Sequence, residues 1–133
     1  MALDPSSLPA SVRVFLAERH LATLTTLRPD GSPHVVAVGF TWDDEARLVR
    51  VITNAASRKV AHVRAGSRRA VVAQVDGRRW LSLEGIPLCS DDPERVAEAV
   101  QRYAERYRTP SVNPNRVVLE ITVDRVLGTA GPD

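Results

Sequence analysis

The chain has 133 residues, 44% of them hydrophobic and 26% charged, with a formal net charge of +2. That length supports one domain whose core needs neither disulfides nor metal, and the apolar content excludes global disorder. No apolar run reaches the length of a membrane span, and the lone Cys89 excludes an internal disulfide.

Met1-Ala2-Leu3-Asp4-Pro5-Ser6-Ser7 has no basic start or apolar stretch of a secretory signal, so the cytoplasm is the expected compartment. A single domain over 1–133, with its core at about 12–128, is expected. Residues 7–18 read as a short helix, with Ser7 as cap, Pro9 in the first turn and Leu8, Val12, Phe15 and Leu16 on one face. Strand patterns follow. Leu21 to Leu27 is rich in β-formers and ends at the turn Arg28-Pro29-Asp30-Gly31. A second strand is predicted from His34 to Trp42 and a third from Arg47 to Thr53, the three forming an antiparallel meander.

A short helix is predicted over 57–65, with Val60 and Val63 on its buried side, and then a strand from Ala70 to Val75. Asp76-Gly77 is a hairpin signal. It leads into Trp80 to Leu88, whose alternation holds up to Gly85, a candidate bulge. A longer helix starts at Asp91 or Asp92, with Pro93 in its first turn and Val96, Val100, Tyr103 and Tyr107 along a stripe. The last strand runs from Arg116 to Leu127, with Val118, Glu120, Thr122 and Asp124 on one face. Six strands on short turns give a mainly β fold: a closed six-stranded antiparallel barrel with helices packed outside.

Several chemistries lack their residues. His20, His34 and His62 are not at metal-ligand spacing, no Ser sits in a Gly-x-Ser-x-Gly turn, and neither common Gly-rich phosphate loop is present. No catalytic side chain is assigned. Few aromatics and no recognition-helix pattern argue against nucleic acid. Ser57-Arg58-Lys59 follows the strand Leu48-Val49-Arg50-Val51-Ile52-Thr53, and Lys59 is the only lysine among eighteen Lys and Arg residues. A hydroxyl, a guanidinium and an ammonium at a helix start suit a phosphate, although an ordinary solvated helix start has the same composition. Between Arg58 and Arg79 there are seven basic residues against one acid, Asp76. Such an excess concentrates a multiply charged small molecule, or is simply a solvated basic surface.

Thr53-Asn54-x-x-Ser57-Arg58-Lys59 also resembles the flavin and deazaflavin oxidoreductases of the pyridoxamine-phosphate-oxidase-like split β-barrel. The resemblance runs from about Val12 to Gly128. It includes His34-Val35-Val36-Ala37-Val38-Gly39, Ile52-Thr53-Asn54, Ala70-Val71-Val72-Ala73-Gln74 and Leu83-Glu84-Gly85. It implies an FMN-binding split-barrel fold, a homodimer and a ring site at the subunit interface. Arg58 and Lys59 would hold the phosphate, aided by Thr53 and Ser57. The backbone of Val36, Ala37 and Val38 would line the ring, Gln74 would approach the ribityl side or ring edge, and His34, Val35, Ile52 and Asn54 would also belong to the cofactor site.

Within that family, Glu18 to Ala22, Ser32 to Phe40, Gln74 to Gly85 and Arg102 to Pro110 resemble the small actinobacterial deazaflavin-dependent biliverdin reductases, which use coenzyme F420. Pyridoxamine-phosphate oxidases proper have a C-terminal segment with no counterpart after Leu127. Coenzyme F420 carries a phosphate, a lactate and a polyglutamate tail, to which Arg64, Arg78 and Arg79 near Gly77 would contribute. Trp80 would stack on ring or substrate, or is a half-buried barrel tryptophan. The implied reaction is hydride transfer to a conjugated acceptor, with a tetrapyrrole as small-molecule substrate and no membrane partner. FMN is the alternative cofactor, and a non-catalytic carrier of deazaflavin, flavin or haem-derived ligands the alternative class.

Overall fold

Every strand pairing in the computed structural model, which describes residues 2–130, is antiparallel. The elements are β1 (Ala2–Leu3), α1 (Ala10–Ala17), β2 (Ala22–Leu27), β3 (Pro33–Val38), β4 (Thr41–Asp43), β5 (Leu48–Asn54), α2 (Arg58–Arg64), β6 (Ala70–Asp76), β7 (Arg79–Ser90), α3 (Pro93–Arg106) and β8 (Arg116–Thr129). The sheet order is β3-β2-β6-β7-β8-β5-β4, with β1 also on β8. Leu24, Val72, Leu81 and Leu83 alternate inward, and with Phe15, Phe40, Leu119 and Ile121 they build the core. The mainly β class with flanking helices is as expected.

Four expectations need correction. The sheet has eight strands, β1 and β4 adding to the six anticipated, and among the described residues no pairing joins β3 to β4 to close the barrel. The strand expected from His34 to Trp42 breaks at Gly39-Phe40, so β3 pairs with β2 while β4 pairs with β5 at the other end of the sheet. That break also removes the meander, because β5 lies between β4 and β8 rather than beside β3. Helix α1 starts at Ala10 without a side-chain cap, since Pro9 is extended at φ −58°, ψ 152° and Ser7 instead gives its N–H to the Asp4 carbonyl at 3.0 Å.

The helices explain the remaining deviations. Helix α3 packs on β4, β5 and β8, so Val117 to Ile121 of β8 are buried on both faces while Thr122 and Asp124 stay exposed. Asp92 caps α3 by accepting from the Arg95 N–H at 3.2 Å. In α2 the buried residues are Val60 and His62, with Val63 only partly covered. The β7 bulge falls between Glu84 and Gly85. A Cβ at Gly85 would stand 1.9 Å from the Thr122 carbonyl oxygen, so β7 and β8 approach there only because residue 85 has no side chain.

Two arginines of the basic segment fasten the sheet. Arg69 bonds Glu84 at 2.9 Å and Asp124 through two N–H groups at 2.8 and 2.5 Å. Arg79 grips Glu18 bidentately at 2.8 and 2.9 Å, also bonds Asp76, and lies 4.5 Å from the Phe15 ring centroid. Hydrogen bonds from Arg79, then from His20, hold the Glu18 carboxyl at about 2 against an ordinary 4.5. A carboxylate depressed in the fold contributes stability above its unfolded pKa and loses it as pH falls toward the folded one. Thermal melts between pH 4.5 and 2 should therefore fall less steeply for Glu18→Gln than for the parent. In chemical denaturation Gly85→Ala should lose about 1–3 kcal/mol, the usual cost of overpacking; unchanged stability would mean that the two strands separate freely at the bulge.

Candidate functional site

Strand β5 ends in a turn that builds one wall of a groove. The Ser57 N–H donates to the Asn54 carbonyl at 3.0 Å, the Asn54 side-chain oxygen accepts from the Ala56 N–H at 3.1 Å, and the Ala55 N–H reaches the Asn115 carbonyl at 2.9 Å. Thr53 Oγ1 donates to Ser57 Oγ at 3.3 Å. The β5–β8 register sets Asn54 opposite Arg116. With the end of β3 and one face of α3, these segments enclose a cavity of about 350 Å³, open to solvent. Ala37, Val38, Gly39, Ile52, Thr53, Asn54, Lys59, Tyr103, Pro110, Asn113 and Arg116 line it.

The groove carries positive charge without a counter-charge of its own. Lys59 is half-buried, burial lowers its pKa, and no carboxylate pairs with it among the described residues. Arg116 gives one N–H to the Ser111 carbonyl at 2.8 Å and likewise has no carboxylate partner among them. No Asp or Glu lines the cavity, whereas Thr53, Asn54 and Asn113 supply neutral polar groups. Two cations beside hydroxyl and amide donors, with apolar Ala37, Val38 and Ile52 alongside, fit a phosphate joined to a flat ring.

The floor is the crossover from β3 to β4. A Cβ on Gly39 would meet the Tyr103 ring at 3.0 Å and the Tyr107 ring at 3.2 Å, so any larger residue there requires the two rings to shift by a few tenths of an ångström. Phe40, fully buried, gives its N–H to the Tyr107 hydroxyl at 3.2 Å, and that hydroxyl donates to the His20 carbonyl at 2.6 Å. Arg106 donates to the carbonyls of Glu18 at 2.8 Å and Phe40 at 2.5 Å and to the Gln74 amide oxygen at 2.6 Å. Its guanidinium lies 4.6 Å from the Phe40 ring centroid. The Gln74 amide nitrogen completes the knot by donating to the Phe15 carbonyl at 2.9 Å.

Of the residues singled out in the sequence, Ala37, Val38, Ile52, Thr53, Asn54 and Lys59 meet in the groove, with Ser57 bonded to its wall. Others are elsewhere. Gln74 has no exposed surface and both ends of its amide are engaged in the core, so the expected ribityl contact gives way to a supporting role. Arg79 is spent on Glu18 and Asp76 rather than free for an anionic tail. Arg58, Arg64 and Arg78 are exposed without ion-pair partners among the described residues, Gly77 and Arg78 forming the β6–β7 turn. Trp80 is exposed at the start of β7, Val35 faces outward, and Val36 packs on the core. The His34 ring stands edge-on to His62 at 4.7 Å between centroids. Sequence reasoning missed Gly39, Tyr103, Pro110, Asn113 and Arg116 as lining residues. Tyr103 reads as core from its stripe, and only strand pairing brings Arg116 to Asn54.

The chain is 57% identical over 117 residues to an F420H2-dependent biliverdin reductase of Mycobacterium tuberculosis, covering 87% of this chain and 84% of that protein. Its fold is similar to the crystal structure of a conserved hypothetical protein of M. tuberculosis, with a TM-score of 0.77 and 25% identity over 92% of this chain and 84% of that one. A solved F420 reductase, 24% identical, shares the fold at a TM-score of 0.73 over 90% of this chain and 98% of its own. The model of the pyridoxamine 5'-phosphate oxidase family matches residues 8–130, and the chain belongs to that family.

Proposed function

We propose that this chain is an F420-dependent reductase that delivers hydride to biliverdin or a similar conjugated tetrapyrrole. The observation that carries this reading is the 57% identity, over most of both chains, with a reductase so described. The groove supplies a physical basis. Lys59 and Arg116 would hold the coenzyme's phosphate, with the Ser57 hydroxyl and the Asn54 and Asn113 amides free to donate to its oxygens and Thr53 orienting Ser57 through its own hydrogen bond. The backbone of Ala37, Val38 and Gly39 and the side chain of Ile52 lie along the ring. When bound, the reduced deazaflavin supplies the hydride. The chain's task is to fix the acceptor against it and keep the approach apolar, which needs orientation more than an acid group. Reduction of such an acceptor would add one hydride and one proton across its conjugated system, and no side chain of the groove is assigned as the proton donor.

The reading includes a homodimer. On the outward faces of β3, β2, β6 and β7, Val35, Ala37, Thr23, Thr25, Val71, Ala73 and Ser82 form a patch without charge, and Val35 is 57% exposed. Side chains this small and neutral suit a flat contact with a second copy. Ala37 belongs to both patch and groove, so a partner seated there would narrow the groove's open side. Among the described residues no helix is long and apolar enough to cross a membrane. The cytoplasm is the compartment that goes with a diffusible coenzyme and acceptor.

Fluorescence titration with oxidised coenzyme F420 beside flavin mononucleotide, at one salt concentration, tests the coenzyme. Deazaflavin should bind preferentially, and Lys59→Ala should weaken it by about 10–100-fold, the worth of one charge-assisted contact. Preference for flavin mononucleotide would replace F420 as the cofactor, and an unaffected Lys59→Ala would remove Lys59 from the site. The assembly is tested by sedimentation: the parent should run as a dimer and Val35→Glu as a folded monomer, whereas a monomeric parent ends the dimer reading.

A further inference from the structure

The face of the sheet beneath the first turns of α3 holds a cavity of about 440 Å³, open to solvent. Leu48 and Arg50 of β5 and Glu120 of β8 form its base, and the start of α3 forms its wall. No residue of this cavity lines the groove described above.

Most of its charge is answered close by. Asp92 caps α3 by accepting from the Arg95 N–H, and Glu94 in the first turn meets the helix's positive end. Glu98 accepts from Arg102 Nε at 2.7 Å, and Arg50 gives Nη1 to Asp43 at 2.9 Å. Glu120 is the exception. It is only 7% exposed and makes no hydrogen bond among the described residues. Strand pairing sets it directly opposite Arg50, but that guanidinium is drawn away to Asp43, and its Nε is buried without a partner. The one cation within 4.0 Å of Glu120 among the described residues is Arg95, whose Nη1 stands at 3.9 Å on a side chain 52% exposed. That distance is beyond a hydrogen bond. A carboxylate taken this far out of water is costly unless it is paired and hydrogen-bonded, and a loosely placed surface arginine offsets little of the cost.

The surroundings of Glu120 are otherwise apolar. Leu88 of β7 stands opposite it in register and is half exposed, Leu48 lines the cavity, and Ile86 is exposed one step along the same face. A buried acid beside an uncovered apolar strip describes the complement of an amphipathic cation.

We infer that this cavity binds the alkylammonium group of a small aliphatic amine, with the ammonium donating to Glu120 and the alkyl stem lying over Leu48 and Leu88. An ammonium is compact and carries three donors, so it bonds the buried carboxylate and still faces the acids of the rim. A divalent metal fits less well, because among the described residues no three metal-ligating groups of this cavity come close enough to share an ion. A ligand with a carboxylate of its own would meet four acids against two arginines, one of them already held by Asp43.

The test is an amide NMR titration of the full chain with n-butylamine at neutral pH and constant ionic strength, beside n-butanol and 4-aminobutyrate. The amine should shift the Leu88, Glu98 and Glu120 signals saturably, n-butanol should not, and 4-aminobutyrate should bind more weakly. Glu120→Gln keeps the shape and removes the charge, and should weaken the amine by about tenfold or more, the worth of one charge-assisted contact. Arg95→Gln removes a competing cation from the exposed rim and should tighten the amine by about two- to fivefold, the worth of one surface ion pair. The second variant decides the matter should the first fail to fold. No saturable shift in the parent, equal binding of 4-aminobutyrate, or an unchanged affinity in either folded variant overturns the site. No coenzyme enters the experiment, so the function proposed above stands or falls separately.

Discussion

One half-buried guanidinium, that of Arg106, makes the rest of this structure possible. After β3 the chain must cross from one end of the sheet to the other, and the crossover at Gly39-Phe40 leaves the Phe40 carbonyl without a strand partner. Burying such a group unpaired costs more than a made hydrogen bond returns. Arg106 answers by distributing its N–H groups over Glu18, Phe40 and Gln74, oxygens drawn from three separate segments. Its charge meets no carboxylate there. Three oxygen acceptors and the rings of Phe40 and Tyr107 offset the loss of water instead. The knot fixes α3 against the strand end, and that in turn brings Tyr103 to the groove.

What was legible in the sequence is what neighbouring residues decide among themselves. The Asp76-Gly77 turn, the cap at Asp92 and the Ser57 element all depend on residues within a few positions, and the glycine itself marks the bulge at Gly85 although its close contact is with Thr122. The β3–β4 break does not, because the Tyr103 and Tyr107 rings and the Arg106 guanidinium that dictate it lie more than sixty positions away. Gln74 and Arg79 carry the same difficulty. An amide or a guanidinium in a β-rich segment looks equally fit for a ligand or for the core, and Phe15 and Glu18, far back in the chain, made the choice. Arg116 was invisible as a groove residue for the converse reason, since only the β5–β8 register sets it beside Asn54.

The basic segment divides by the company each side chain keeps. Arg69 and Arg79 are held by carboxylates and work as fasteners across the sheet, where planar, forked guanidinium geometry suits them. Among the described residues Lys59, within α2, and Arg68, in the connection that follows it, have no such partner. The net charge of the whole chain conveys none of this.

Lys59 has a further consequence that follows from arithmetic. A chain with one lysine has one side-chain amine, and this one stands in the groove with its pKa lowered by burial. Its neutral, nucleophilic form is therefore reached at a milder pH than for a solvent-exposed lysine. A reagent that acylates amines finds its side-chain target at the wall of the groove, and a ligand seated there withholds that target. The composition that left a single lysine among the arginines has given the groove a chemical label of its own, one that reports occupancy without any engineered residue.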